Sequence, residues 1–252
     1  MSLAEIDTAD IGPVHIDPDW ITQSLAEHEH GLESDVWRAV DSLDAVATLR
    51  LVDTLDELLL LEQILADSLP PLPPDTTNLH PLLSTPFRFT APYPSRFRPA
   101  QSPGIWYGAD SPEAACAEVG YWRWRFLMDS EGLQQCALVG TYALFHAVVA
   151  GHCLNLENPP WSDLAAQWSH PSDIGTCQAL ADLALAPATP TQWIRYPSAR
   201  SPGAYCAAVF DPQALTMVEP HAQETWVIKI SAQRLVFSHA QQRLAVETDG
   251  WV

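Results

Sequence analysis

Hydrophobic and polar residues along the first third of the chain follow a helical pattern. Over residues 49–69 the apolar positions recur on one broad helical face, and the pattern stops at Pro70, as helices do before proline. Residues 19–47 have mixed periodicity and are also interpreted as helical. Residues 70–86 are rich in proline and are expected to form an extended, partly ordered connector.

From Phe87 onward the pattern changes to short apolar stretches separated by turn residues, which is typical of an α+β fold. We therefore expect an α+β domain over residues 76–252, preceded by an α-helical extension over residues 1–75. The expected elements are a strand over 105–108, a helix from Ser111, one or two strands over 137–150, a helix over 172–185, and strands over 205–210 and 224–230.

Length and composition narrow the class of protein. The 252 residues, 47% of them hydrophobic, fit one large domain or a domain with a smaller lobe, and they exclude wholesale disorder. No apolar run approaches the roughly 20 residues of a membrane helix, and the first residues lack the basic region of a signal peptide. The five cysteines form no CxxC pair, so a reducing cytoplasm is the expected location.

Charge divides the chain into regions. Thirty-one acidic and 12 basic side chains give a net charge of −19, which repels polyanions and argues against nucleic acid as a partner. Residues 1–75 carry 17 acids and two bases, whereas residues 76–109 and 183–210 contain five arginines and no acid. These two positive segments either arise by chance in proline-rich loops or line a pocket for a small anionic ligand.

Other familiar motifs are absent from the sequence. The nine histidines show no metal-ligand spacing, so no metal is expected. No GxGxxG or P-loop pattern occurs, which leaves a Rossmann-type or nucleotide-hydrolysing fold without support.

The clearest local signal is the helix that begins after Asp110. Ser111 is a good N-cap, Pro112 fits the first helical position, and small residues follow Glu113. Further along is Glu118, and no base stands three or four positions from it. Those positions hold Ala114, Ala115, Tyr121 and Trp122. Glu118 is therefore a candidate functional carboxylate; the alternative is a glutamate at the helix rim in contact with water.

Several short motifs, in this order and at these spacings, resemble the RES domain, a family named for its Arg, Glu and Ser. They are Pro86-Phe87-Arg88, Ser95-Arg96-Phe97, PGIWYGA over 103–109, Ala117-Glu118-Val119, Tyr196-Pro197-Ser198-Ala199-Arg200 and the strand that follows it. The resemblance covers residues 82–238. Tyr107 precedes Glu118 by the family's usual 11 residues, but Arg96 lies one residue further from Tyr107 than usual. Arg98 therefore remains a rival for the family arginine.

The resemblance implies both a fold and an activity. RES domains have a fold similar to ADP-ribosyltransferases of the diphtheria-toxin type. Members are typically the toxins of bacterial toxin–antitoxin pairs with an Xre-like antitoxin. They consume NAD⁺ as phosphorylases or glycohydrolases, and some transfer ADP-ribose to a protein. The expected substrate is therefore NAD⁺, with phosphate as a second candidate ligand and an Xre-like antitoxin as partner.

The residues of these motifs suit that chemistry. Breaking the nicotinamide N-glycosidic bond builds positive charge on the ribose, which a fixed carboxylate such as Glu118 can stabilise. Arginine binds pyrophosphate bidentately, which suits Arg96 with help from Arg88 or Arg98.

Tyr107 and Ser198 complete the expected catalytic set. Tyr107 offers a flat face and a hydroxyl to the nicotinamide ribose. Ser198, between Arg195 and Arg200, would bind a phosphate oxygen or polarise the leaving amide, since no neighbouring histidine makes it a nucleophile. The alternatives are a core tyrosine and a turn serine. Arg200 and Tyr107 are also expected to contact the dinucleotide.

Two rival functions and one assembly question stay open. The same pocket could serve a protein-directed ADP-ribosyltransferase, or the domain could bind a nucleotide or a protein without catalysis. The apolar face over residues 49–69 is too broad to remain in solvent. We expect it to dock on the RES domain, on a second copy of the chain or on a basic partner, with its acids outward; the alternative is an intramolecular lobe that no partner touches.

Overall fold

The described residues form a nine-stranded sheet flanked by helices. The structure is a computed structural model and describes residues 17–41, 51–186, 191–218 and 223–251. The helices are α1 (Pro18–His28), α2 (Leu55–Ser68), α3 (Pro81–Arg88), α4 (Pro112–Met128), α5 (Ala165–Trp168) and α6 (Gly175–Ala184). The strands are β1 (Glu29–Asp41), β2 (Trp106–Ala109), β3 (Leu138–Asn155), β4 (Trp193–Pro197), β5 (Tyr205–Val209), β6 (Leu215–Met217), β7 (Gln223–Ile230), β8 (Arg234–His239) and β9 (Gln242–Glu247).

Strand β3 is long enough to have partners along both of its edges. One edge pairs antiparallel with β1 over residues 142–154, and the other pairs in turn with β7, β6 and β4. The pairing continues from β4 to β5 and from β5 to β2, which returns to β1 at the pair Trp37–Ala109. The pairings of β1, β3, β4, β5 and β2 therefore close on themselves.

The expected α+β fold is confirmed, and helix α4 begins as the sequence predicts. The Ser111 hydroxyl accepts a hydrogen bond from the main-chain N–H of Ala114 at 3.2 Å, and Pro112 occupies the first helical position. The four small residues at 114–117 are buried. These small side chains let the helix lie close to its neighbours, which fixes the position of Glu118 relative to the sheet.

The helical interpretation of residues 19–47 is wrong beyond residue 28. Strand β1 occupies Glu29–Asp41 and pairs with β3 along its length; residues 42–47 lie outside the described residues. Its apolar residues Leu32, Val36 and Val40 pack on one face of the sheet, but Ser34 and Arg38 stand in the same phase and obscure the two-residue period. The division of the chain between residues 75 and 76 stays a prediction.

Helix α2 forms within the expected segment, but the described parts of the chain do not bury it. It begins after Thr54, whose side chain forms a reciprocal capping box with Glu57. None of its residues is buried. Of the three expected docking surfaces, the RES domain is therefore not the one that buries this helix within the described residues, whereas docking on a second copy or on a partner stays a prediction. The part of the prediction over residues 49 and 50 lies outside the described residues.

The proline-rich connector is more helical than expected. Helix α3 starts with Pro81 and contains Pro86, so the chain is extended only in part between α2 and α3. Leu83 and Phe87 are buried on the side of α3 that packs against the sheet. This helix fixes the chain just before the turn that carries Arg96.

Alternating side chains divide the core into two clusters, one on each face of the sheet. On the first face Tyr196 and Cys206 pack in a cluster that includes residues of α4 and α6. On the second face Trp193 and Ala207 pack with residues of α3. Side chains of β4 and β5 in phase with Tyr196 and Cys206 therefore face α4.

Gly104 gives a test of how tightly this part of the fold is built. Its N–H donates to the carbonyl of Phe89 at 2.8 Å, and a Cβ atom there would overlap the carbonyl oxygen of Pro86. Gly104→Ala should therefore lower the free energy of unfolding by about 1–3 kcal/mol in chemical denaturation. Gly132→Ala, with nothing within 4 Å of its Cβ, is the matched control; equal stability of the two variants would contradict this prediction.

Candidate active site

A short hydrogen bond between Ser198 and Glu118 forms the centre of the site. The Ser198 hydroxyl donates to Glu118 Oε1 at 2.6 Å. The Ser198 hydroxyl oxygen in turn accepts hydrogen bonds from the main-chain N–H groups of Arg200 at 3.1 Å and Ser201 at 3.0 Å. Ser198 is buried, and these three bonds hold its hydroxyl in one orientation. The bond joins α4 to the segment that follows β4.

Tyr196 and Cys206 lie beside this pair and were not assigned to the site from the sequence. They are register partners in β4 and β5, and the Cys206 thiol donates to Glu118 Oε1 at 3.8 Å. Burial raises the pKa of both side chains well above the ordinary values. Both therefore stay neutral beside the carboxylate. Their shared phase on neighbouring strands was the sequence signal that could have identified them.

Arg96 lies in the same group of residues. Its guanidinium donates to the carbonyl oxygens of Trp168 at 2.9 Å and His170 at 3.0 Å. Burial lowers its pKa, but Cys177, Tyr196 and Glu118 together outweigh burial, so that the pKa is raised. Arg96 therefore keeps its positive charge close to Glu118.

Arg200 binds the main chain next to the carbonyl groups that Arg96 contacts. Its guanidinium donates to the carbonyl oxygen of Pro171 at 2.6 Å and lies 3.4 Å from the ring centroid of Tyr121. Burial lowers the pKa of Arg200. With Arg96, it fixes the main chain of residues 168–171, between α5 and α6, as one wall of the site.

Tyr107 supports the turn that carries Arg96. Its hydroxyl donates to the Ser95 hydroxyl at 2.9 Å and accepts from the main-chain N–H of Phe97 at 3.4 Å. Burial raises the pKa of Tyr107 to about 12. Arg38 donates to its carbonyl oxygen at 2.6 Å. Tyr107 is thus held both at its hydroxyl and at its main chain, in keeping with the core tyrosine of the sequence alternatives as well as with a place at the site.

Similarity to known proteins identifies the family of this chain. The family model described as the RES domain matches residues 73–230. The chain belongs to the RES domain family. A search of curated proteins found no match. Among solved structures, the chain is similar to one from the crystal structure of the M. tuberculosis MbcT–MbcA toxin–antitoxin complex. The two are 12% identical, the match covers 84% of this chain and 92% of that chain, and the TM-score is 0.43.

Arg98 and Arg88, the other two arginines of the acid-free residues 76–109, lie at different places in the RES domain. Arg98 lies over the ring of Phe210, 5.0 Å from its centroid, and burial lowers its pKa. Arg88 ends α3, which packs on the opposite face of the sheet from α4. The structure therefore groups Arg96, Arg200 and Ser198 around Glu118, with Tyr107 beside Arg96, but it does not bring Arg88 to them.

Arg195 also differs from the expected arrangement. As the neighbour of Tyr196 in β4, it faces the other side of the sheet, where it pairs with Glu157 at 2.9 Å and Asp110 at 3.7 Å. Its guanidinium also lies over the ring of Tyr205. Of the second acid-free segment, Arg200 and not Arg195 supplies positive charge to the site.

Neither a metal-binding cluster nor a membrane-spanning helix occurs in the described parts of the chain. They contain no group of three or more His, Cys, Asp or Glu side chains that could hold a metal ion. No helix within those parts is long and apolar enough to cross a membrane. Two neighbouring cavities, of about 390 and 260 Å³, are lined by residues of α1, β1 and the 153–161 region and not by Glu118 or Ser198.

Ser198→Ala tests whether the central hydrogen bonds stabilise the fold. The substitution removes the donor to Glu118 and leaves the N–H groups of Arg200 and Ser201 without their acceptor. At about 0.5–1.5 kcal/mol for each bond, thermal unfolding should shift down by several degrees. Ser201→Ala is the control, because Ser201 contributes its main-chain N–H to this group. Equal melting temperatures would show that the bonds contribute nothing to stability.

Proposed function

We propose that this RES protein cleaves the bond between nicotinamide and ribose in NAD⁺, by phosphorolysis or by hydrolysis. The observation that carries the proposal is the Glu118 carboxylate, held by the Ser198 hydroxyl at 2.6 Å in a site that also holds the charges of Arg96 and Arg200. A fixed carboxylate and two fixed cations match a substrate that develops positive charge on its sugar and carries negative charge on its pyrophosphate.

The reaction requires a negative charge beside the ribose of the substrate. As the C–N bond breaks, nicotinamide leaves with the bonding electron pair and positive charge builds on the ribose. A carboxylate that is already oriented stabilises this charge without reorganising, which is where electrostatic catalysis is largest. A phosphate or water oxygen then forms the new bond to the same carbon, and water loses a proton as it does so. The products are nicotinamide and ADP-ribose or its phosphate ester.

Two arginines supply the binding site for the pyrophosphate in this proposal. The guanidinium group has several N–H donors, and Arg96 directs only part of them at the carbonyl oxygens of Trp168 and His170. Arg200 likewise gives one nitrogen to Pro171. The remaining donors, on groups already immobilised, are suited to bidentate contacts with phosphate oxygens.

Ser198 and Tyr107 act through their neighbours. The Ser198 hydroxyl is committed to Glu118 and accepts two main-chain hydrogen bonds, so its role is to orient the carboxylate and not to attack the substrate. The Tyr107 hydroxyl holds the turn at Ser95 and Phe97, which positions Arg96 between them. Both residues are positioning residues in this mechanism.

Membership of the RES family supports a biological role as well. We propose that the chain is the toxin of a bacterial toxin–antitoxin pair, acts on NAD⁺ in the cytoplasm and is neutralised by an Xre-like antitoxin. Consumption of NAD⁺ gives such a toxin its effect, because the dinucleotide is shared by many reactions.

Glu118→Gln tests the mechanism directly. The amide is nearly isosteric with the carboxylate but carries no charge to oppose the ribose cation, so NAD⁺ turnover should fall by about 10²–10³-fold. Glu113→Gln, an exposed first-turn position of the same helix, should keep full activity. Turnover is measured by resolving the products with and without phosphate, after circular dichroism has shown that each variant is folded.

The products and the variants together separate the alternatives. A phosphate-dependent product identifies phosphorolysis, free ADP-ribose identifies hydrolysis, and labelled protein identifies an ADP-ribosyltransferase. Unchanged turnover in folded Glu118→Gln removes Glu118 from the mechanism, and no turnover in the unmodified protein contradicts the proposal.

The two rival arginines are distinguished by affinity. Arg96→Ala should raise the Kd for NAD⁺ about tenfold or more, since a hydrogen-bonded contact between buried charges is worth about 1.5–3 kcal/mol. Arg98→Ala should have a smaller effect, because Arg98 stacks on Phe210. Calorimetric titration measures both values, and thermal unfolding of each variant controls for loss of structure. An equal or larger effect at Arg98 would assign the family arginine to that position.

A further inference from the structure

Helix α2 carries a large apolar surface that none of the residues described in the structure covers. Seven leucine and isoleucine side chains on or beside it are between 44% and 76% exposed. They are Leu51, Leu55, Leu59, Leu60, Ile64, Leu65 and Leu69. Four of them, Leu55, Leu59, Leu65 and Leu69, lie on one side of the helix, and an exposed apolar face of this kind marks an interaction site. Thr54 and Glu57 cap the N-terminus of this helix.

A single carboxylate stands in the middle of this surface. Glu62 is exposed, and the residues three and four positions from it along the helix, which are its neighbours on the helix surface, are all apolar. They are Leu58, Leu59, Leu65 and Ala66. Any partner that covers these leucines must also cover Glu62. A carboxylate covered in this way needs a cation beside it.

The remaining polar residues of α2 lie on a different side of the helix. Asp56, Gln63 and Asp67 are spaced by seven and four positions and so share one stripe, and Gln63 donates to Asp67 at 3.0 Å. Helix α2 contains four acids and no base. The cation that Glu62 needs therefore has to come from outside this helix.

This requirement selects among the candidate occupants. A second copy of α2 brings four more acids and no base, so pairing the two helices would bury Glu62 against like charge. An anionic lipid surface or a nucleic acid would be repelled by the same four acids. A protein helix with an apolar stripe and basic side chains meets both the apolar and the charge requirement.

We propose that α2 is a docking helix for a basic amphipathic helix of another protein, with a lysine or arginine of that partner paired to Glu62. The leucines supply the contact area, and Glu62 favours a partner whose facing side chain is positively charged. The proposal is independent of NAD⁺ cleavage, because α2 precedes the segment matched by the RES family model.

The test uses the full chain and two synthetic peptides. Each peptide is as long as α2 (14 residues) and repeats leucine at helical spacing; the other positions are lysine in one peptide and glutamate in the second. Fluorescence anisotropy of the labelled peptides measures binding. We expect the lysine peptide to bind and the glutamate peptide not to bind.

Matched variants separate docking from general attraction to an acidic protein. Glu62→Gln and Asp67→Asn each remove one negative charge from the same helix. Glu62→Gln should weaken binding of the lysine peptide about tenfold, as expected for loss of a covered charge pair, whereas Asp67→Asn should change it less than about twofold. Leu59→Ser should also weaken binding while leaving NAD⁺ turnover and thermal unfolding unchanged, because Leu59 is 56% exposed.

Any one of four results would overturn the proposal. Equal losses from Glu62→Gln and Asp67→Asn, or full binding by Leu59→Ser, would mean that net charge alone attracts the peptide. Binding of both peptides alike would mean that α2 does not select a basic partner. A dimer of the unmodified chain in analytical ultracentrifugation that Leu59→Ser dissociates would assign α2 to a second copy instead.

Discussion

The hydrogen bond between Ser198 and Glu118 is the interaction on which the site depends. Its two residues come from different parts of the fold, one from the middle of α4 and one from the segment after β4. The N-cap and small residues of α4 set the position of Glu118, while the β4–β5 pairing sets that of Ser198. A charge-assisted bond at 2.6 Å tolerates little displacement of either partner. The site therefore reports directly on how helix and sheet are packed.

The same packing explains how the site accommodates a buried arginine, Arg200, and a partly buried one, Arg96. Burying a guanidinium costs free energy unless its N–H groups are hydrogen-bonded. Arg96 and Arg200 meet that requirement with carbonyl oxygens of Trp168, His170 and Pro171. Carbonyls are neutral acceptors, so these bonds fix the guanidinium groups without neutralising them. The segment 168–171 thus orients the positive charge, and residual charge remains for an anion.

Sequence reasoning succeeded where a local rule determines the structure. Ser111 and the small residues after it predicted α4, and the absence of a basic neighbour singled out Glu118. It failed where the decisive contact is distant in sequence. Arg195 and Ser198 are close neighbours in the chain, but strand alternation directs Arg195 to the opposite face toward Glu157. Cys206 reaches Glu118 only through the pairing of β4 with β5. Strand β1 was missed because its partner is β3, more than a hundred residues away.

The excess of negative charge and the cationic site are compatible because of where the acids lie. The acids whose side chains are described on β1 and α2 are exposed, and at physiological salt such charges are screened beyond about 8 Å. Arg200 is buried and Arg96 is partly buried, so their interaction with a bound anion is screened less. Exposed acids therefore act only on what touches them. That makes the charges of the first third ineffective against a substrate in the site but decisive at a surface in direct contact with α2.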